Sequence, residues 1–266
     1  MTLSDIAFPS TRRFASLRSI LALILREMAT TYGRSPGGYL WAALEPVAGI
    51  ALLTLIFSTG FQSPSLGINF PIFYATGLVP FLLFTDVSGK VALSLHFSKP
   101  LLAYPAIIFV DALLARFLVN TLTQLAVAFV VFTGIMALFD TRLSPDIALI
   151  AEAMAFAALL AIGIGVMNAF AFCRFPTWQR VWSILTRPLF IISGIFFTFE
   201  TIPRPYGDYL WFNPLIHIVG LMRRGFYSGY EADYVSRAYL IVLPLCLIAF
   251  GLVFLRRFHR DILNEG

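Results

Sequence analysis

Residues 46–85 read PVAGIALLTLIFSTGFQSPSLGINFPIFYATGLVPFLLFT, forty positions without one Asp, Glu, Lys or Arg. A helix needs about 20 largely apolar residues to cross the hydrocarbon of a bilayer. The stretch therefore holds two crossings, about 39–59 and about 70–89, joined by the turn-like run Gly60-Phe-Gln-Ser-Pro-Ser-Leu-Gly67. Further charge-free runs extend from Phe117 to Phe139, from Ala153 to Cys173 and from Ala238 to Leu255. The composition agrees. Of 266 residues, 59% are hydrophobic and 12% charged, with a mean hydropathy of +0.84. Soluble domains carry roughly 25% charged residues. This chain cannot clothe a water-facing surface and is expected to be an all-α integral membrane protein. The two cysteines, Cys173 and Cys246, sit in apolar stretches and exclude a disulfide scaffold. The apolar content excludes a disordered or collagen-like chain.

Residues 181–237 are less regular. Pro188 to Phe199 is charge-free for twelve residues and becomes long enough to cross only when extended back to Val181. Tyr209 to Met222 is apolar but is interrupted by Pro214 and His217. It is too short to cross comfortably and suits a re-entrant or interfacial segment. Six spans with both ends in the cytoplasm place thirteen basic residues inside and five outside: Arg142, Arg204, Arg223, Arg224 and Arg237. Arg116 lies near the start of the third span. Seven spans would put Arg256, Arg257 and Arg260 outside, against the positive-inside rule. The expected spans are about 39–59, 70–89, 112–139, 147–172, 181–199 and 238–256. Ahead of them, Phe14, Leu17, Leu21, Leu25 and Met28 recur at helical spacing among Arg12, Arg18 and Arg26. An amphipathic helix at the cytoplasmic interface is expected over about 12–33. Residues 1–36 are expected as the cytoplasmic N-terminal part and 37–266 as the transmembrane domain. The short first apolar stretch, broken by arginines and Glu27, is not expected to act as a cleavable signal. With net charge +5, the basic residues read as topology signals and lipid headgroup contacts rather than nucleic-acid contacts.

No phosphate-binding loop surrounds Lys90 or Lys99. Gly163-Ile-Gly165 lies inside a span and reads as helix packing. His96, His217 and His259 are scattered, without metal-ligand spacing. An energy source must come from a partner or an ion gradient. Ionisable residues within spans are functional candidates by default. Here they are few and lie toward span ends: Glu45, Asp86, Asp111, Arg116 and Glu152. They form no mid-membrane acidic relay. Structural ion pairing is the plainer reading of Asp111 and Arg116, although five residues apart is not ideal for helical neighbours. Asn120, Gln124 and Asn168 read as helix–helix contacts. Phe, Tyr and Trp make up 15% of the chain. Tyr39, Trp41, Tyr209 and Trp211 fit interfacial belts. The same aromatic faces could also form a low-friction track for a sugar chain.

Several segments resemble one family in the same order. Tyr32-Gly-Arg-Ser-Pro-Gly-Gly-Tyr-Leu-Trp-Ala-Ala-Leu-Glu-Pro46 is similar to the segment entering span one of ABC-2 type permeases for polysaccharide export. Phe70-Pro-Ile-Phe-Tyr-Ala-Thr-Gly-Leu-Val-Pro-Phe81 looks like their second span. Arg187-Pro-Leu-Phe-Ile-Ile-Ser-Gly194, Ile202-Pro, and Tyr209-Leu-Trp-Phe-Asn-Pro-Leu-Ile-His217 resemble their fifth span and external re-entrant segment. The likeness is to the capsular polysaccharide subgroup and covers nearly the whole chain. Residues 140–146 and the tail beyond Arg260 match nothing in that pattern.

The resemblance implies a non-enzymatic permease subunit in the bacterial inner membrane. It would pair with a second copy of itself and with two ATP-binding cassette subunits. ATP and magnesium would bind only to those partners, and the permease itself would hold no cofactor or metal. The cargo would be lipid-linked capsular polysaccharide, passed outward toward a periplasmic co-polymerase or outer-membrane export partner. The family's cytoplasmic coupling helix maps to about 90–105. That puts His96, Lys99, Pro100 and Leu101 at the ATPase, beside Arg26 and Arg34. The channel and its outer gate are expected from Tyr39, Trp41, Glu45, Phe81, Phe196, Phe197, Tyr209, Trp211, Asn213, His217, Arg223 and Arg224. Glu45-Pro46 would either bend span one or form its first turn. Arg223 and Arg224 would either attract acidic glycans or pair with headgroups and carboxylates. An O-antigen or teichoic acid permease is the nearest rival. An enzyme acting on polyprenyl-linked sugars would need loop acidic clusters, for which Asp140 and Asp146 are poor candidates. An ion-coupled carrier is disfavoured by the missing mid-span charges.

Overall fold

The structure, a computed structural model, describes residues 15–31, 38–102 and 108–264. No strand occurs among the described residues. The helices are α1 (Ala15–Thr31), α2 (Tyr39–Gly60), α3 (Phe70–Ala92), α4 (Ser94–Leu102), α5 (Phe109–Leu138), α6 (Ile147–Arg174), α7 (Trp178–Ile192), α8 (Tyr206–Leu210), α9 (Pro214–Phe226) and α10 (Arg237–Asn264). A 3-10 turn lies at Phe199–Thr201. By length and composition, α2, α3, α5, α6 and α10 can each cross a membrane.

α3 is the most buried of these five helices and packs against α2, α5, α6 and α9. α6 packs on α3 along one side and on α10 along another. Two glycines make both approaches possible. Residues two apart lie about 200° apart around a helix, so Gly163 and Gly165 face different neighbours. A Cβ on Gly163 would lie 2.9 Å from the Pro244 carbonyl oxygen of α10, and one on Gly165 would lie 2.7 Å from Val91 of α3. Small residues at such crossings let helix backbones close on one another where lipid supplies no hydrophobic drive. Polar side chains add specific links. Gln124 Nε2 donates to Asp86 Oδ2 across α5 and α3 (3.0 Å), and Trp178 Nε1 donates to Asn168 Oδ1 (3.0 Å).

Contacts define two ends of the bundle. At one end, Asn69 Nδ2 donates to the Asp140 carbonyl (2.8 Å), and Arg237 clasps Glu152 with bonds of 2.5 and 2.9 Å. The starts of α3, α6 and α10 therefore meet the end of α5. At the other end, Leu23 of α1 packs on Ala112 and Ala115 of α5. Cys173 Sγ lies 3.9 Å from His96 Nδ1, and Phe170 stacks on Phe254 and Phe258 of α10. α1, α4 and the C-terminal half of α10 thus share this second end.

Between Arg174 and Arg237 the chain must return from the second end to the first. α7 makes most of that passage but, at 15 residues, is only about 22 Å long. The expected continuous span over 181–199 is therefore broken. Gly194 adopts φ +79°, a left-handed geometry that closes a helix and that side-chain-bearing residues resist. Residues 195–198 continue without helix. α9 does not cross. Its start lies beside α10, through the Ser236 to His217 bond, and its end lies beside α6, where Asp146 N–H donates to the Gly225 carbonyl (2.7 Å).

Two expectations are corrected. Glu45-Pro46 does not open the first span, because α2 begins at Tyr39 and Pro46 is interior. Asp111 and Arg116 do not pair with each other. Asp111 Oδ2 accepts the Ile108 N–H at the start of α5 (3.3 Å), while Arg116 turns to Glu27 of α1 (3.0 Å).

Gly165→Val should force α3 and α6 apart and lower stability by about 1–3 kcal/mol. The thermal unfolding midpoint of the purified protein in detergent measures it. Gly89→Val, with open space around its Cβ position, is the control.

Candidate functional site

The expected site residues fall into separate places. At the first end, α8, α9 and the turns around them form a cap. Asn213 caps α9, its Oδ1 accepting the Leu215 N–H (3.1 Å), while its Nδ2 donates to the Ile192 carbonyl at the end of α7 (3.0 Å). Asn213 therefore ties the end of α7 to the start of α9. His217 is fully buried. The Ser236 N–H donates to Nδ1 (3.2 Å), so Nε2 carries the proton and donates to the Trp211 carbonyl (2.7 Å). Trp211 in turn donates from Nε1 to the Tyr234 carbonyl (3.1 Å) and stacks on Tyr239. Tyr209 does not join this network and is 74% exposed, next to exposed Phe212 and Tyr206.

Arg223 and Arg224 part company. Arg224 is exposed, whereas Arg223 is 1% exposed and points inward. Its Nη1 and Nη2 donate to the carbonyls of Phe197 (2.6 Å) and Ile195 (3.1 Å), and its guanidinium lies 4.2 Å from the Phe73 ring centroid. Buried irregular backbone persists only where its polar groups find partners. Here one guanidinium satisfies two carbonyls of the break after α7, and an aromatic face supports its charge. Beside this cap, Tyr230 donates to Glu200 (3.0 Å). Burial raises both the Tyr230 and Tyr234 phenols, with the Glu200 carboxylate adding to the effect, and Tyr234 reaches about 12. Both remain protonated donors at physiological pH.

Deeper, Phe81 and Phe196 belong to one aromatic seam. Phe81 meets Phe190 (5.4 Å), Phe190 meets Phe196 (5.2 Å), and Phe196 meets Phe57 of α2 (5.7 Å). The seam joins α2, α3 and α7. Sequence reasoning missed Phe57 and Phe190, whose only signal was aromatic identity. On α2, Trp41 is 59% exposed and Glu45 is exposed as well.

At the second end, α4 follows α3 after a break at Leu93 and lies within the expected coupling segment. His96 is exposed and Lys99 partly exposed. Arg26 Nη2 donates to the Phe97 carbonyl (3.3 Å). Glu27 and Phe97, which the sequence did not single out, lie at the contact of α1, α4 and α5. Arg34 and the side chains of Tyr39, Pro100 and Leu101 lie outside the described residues. No cluster of three or more His, Cys, Asp or Glu able to hold a metal occurs among the described residues.

A bundle of membrane-length helices, with a buried polar cap at one end and a short helix packed across the other, fits a membrane transporter subunit. The ABC-2 type transporter family matches residues 18–227, and the chain belongs to that family. Family membership places it in an ABC transporter system with an ATPase partner. It is 32% identical over 238 residues to the polysialic acid transport protein KpsM of Escherichia coli, covering 90% of this chain and 92% of that protein. It is 24% identical to the capsule polysaccharide export inner-membrane protein CtrC of Neisseria meningitidis and 26% identical to BexB, of the same description, from Haemophilus influenzae. Each of these matches covers 92% of both chains.

Arg223→Met should orphan two buried carbonyls and destabilise the protein by about 2–6 kcal/mol. Arg224→Met should change stability by no more than about 0.5 kcal/mol. Unfolding midpoints of the two variants in detergent test the contrast.

Proposed function

We propose that this chain is the permease subunit that carries lipid-linked capsular polysaccharide out of the cytoplasm, in the bacterial inner membrane. The observation that carries the reading is the 32% identity to KpsM across 92% of that protein. CtrC and BexB, named for capsule polysaccharide export at the inner membrane, point the same way.

The permease is not an enzyme. ATP and magnesium bind to two ATP-binding cassette partners, which attach at the α4 end through His96, Lys99, Pro100 and Leu101, with Arg26 and Arg34 alongside. That end is cytoplasmic. α1 and the C-terminal half of α10 gather there, in keeping with both termini inside and with the excess of basic residues assigned to that side. Six crossings follow if α7 and residues 193–198 together form the fifth. The return of the chain to the α9 end between Arg174 and Arg237 supports that count. α8 and α9 are the re-entrant segment, and α9 has both ends at one end of the bundle.

Two copies enclose the channel. α7, with no buried residue, and α2, with its long exposed apolar face, are left for the second copy and lipid. Trp41, Glu45, Phe81 and Phe196 border the path. Phe197, Tyr209, Trp211, Asn213, His217, Arg223 and Arg224 build or hold the outer gate, which hands glycan to a periplasmic co-polymerase or outer-membrane partner. α1 lies in the cytoplasmic interface, its exposed Leu21, Leu25 and Met28 facing lipid. An apolar cleft lined by Ile24 and Met28 of α1, Ala43 of α2 and Leu122 and Val130 of α5 suits lateral access for the lipid-bearing end.

The test is complementation. In an encapsulated strain lacking its own capsule permease, this chain with its ATPase should restore surface capsule. Polysaccharide retained inside the cells would reject the reading. Replacing residues 96–102 with a Gly/Ser linker should abolish export while membrane insertion persists. Tyr209→Ala with Trp211→Ala should reduce export more than protein level if the cap touches glycan.

A further inference from the structure

At the α4 end, one phenyl ring is held by two other helices. The guanidinium of Arg26, from α1, lies 4.6 Å from the Phe97 ring centroid, and that of Arg116, from α5, lies 4.3 Å from it. Arg26 also donates to the Phe97 carbonyl (3.3 Å). Arg116 Nε donates to Glu27 Oε1 of α1 (3.0 Å), and Glu27 is 1% exposed. Around this cluster, Leu23 packs on Ala112 and Ala115, and Ser98 of α4 is buried.

The electrostatics of the cluster are interdependent. Two like charges against one ring repel, and the Glu27 carboxylate offsets that repulsion. A carboxylate this deeply buried is costly unless paired, so Arg116 is held to α1 and cannot swing away from Phe97. A phenyl ring attracts both cations through its quadrupole, which an aliphatic side chain of similar volume does not. Each side chain is thus fixed by another helix. α4 also packs on α3, α5 and α6, but at nine residues it is too short to be stable as an isolated helix, and Phe97 is its link to α1.

We propose that Phe97 is the positioning residue that locks α4 to α1 and to the start of α5, so that the three move as one body. This rests on the reading of α4 as the ATPase-docking helix. On that reading, displacement of α4 by the ATPase carries α1 with it, and the α1 wall of the apolar cleft moves with each cycle. Without the ring, α4 would shift and α1 would stay.

The experiment uses the full permease–ATPase complex with Phe97→Leu and Phe97→Trp. Spin labels at Leu21 on α1 and His96 on α4, both exposed, report whether α4 and α1 are held together. In Phe97→Leu the distance distribution should broaden, and glycan exported per ATP should fall about thirtyfold, the factor expected for one desolvated cation–π contact. ATP hydrolysis by the attached partner should persist. Phe97→Trp should restore both the narrow distribution and the export ratio. A native distribution in Phe97→Leu, or a native export ratio, overturns the proposal. The distance readout needs no ATPase. An ATPase that still co-purifies after residues 96–102 are replaced would therefore sink the docking reading separately.

Discussion

Where a helix breaks inside a packed protein, the carbonyls it frees must find hydrogen-bond partners. In this protein the break follows α7 at Ser193–Gly194, and the guanidinium of Arg223 answers it by binding the carbonyls of Ile195 and Phe197. Much of the cap depends on that bond pair. It fixes the irregular segment against α9, and the cation rests on Phe73 in the first turn of α3. Asn213 and His217 close the remaining seams, from α7 to α9 and from α9 to the start of α10. The cap is a polar network whose side chains bridge three loops. Such a network tolerates little partial disruption, because in a low dielectric each orphaned group is expensive.

Long, strongly apolar segments were legible from the sequence. Spans two, three and four were expected within a few residues of α3, α5 and α6, because a charge-free run of membrane length has few other uses. The helix within about 12–33 was also legible, from amphipathic spacing. What could not be read was side-chain direction. Arg223 and Arg224 are adjacent in sequence and similar in composition-based reasoning. A helix turns about 100° per residue, and that rotation sends one into the core and leaves the other in the open. Asp111 and Arg116 failed for the same reason. Spacing along one helix relates only those two residues, whereas the partner of Arg116 is Glu27, 89 residues away in sequence.

The aromatic content was ambiguous for a different reason. Nothing in a one-dimensional pattern divides belt, core and channel. The fold separates them by contact. Phe57, Phe81, Phe190 and Phe196 make a continuous seam between helices, Trp211 is locked into the cap, and Tyr209, Phe212 and Trp41 remain outward. The outward set is exposed on the single subunit, whereas the seam sets how α2, α3 and α7 pack.

The two ends of the bundle are joined by one element. α3 begins beneath Arg223, at Phe73, and after Leu93 continues into α4. It is the most buried of the membrane-length helices. Close-packed interiors are stiff and transmit displacement rather than absorb it. On the proposed docking of the ATPase at α4, a push there would reach the cap along α3. The same push reaches α1 sideways, through Phe97 and the Arg116–Glu27 pair. A permease that draws its energy from a partner must open at the far side and admit cargo at the near side in one motion. A stiff rod along the axis and a clamp across it meet both requirements.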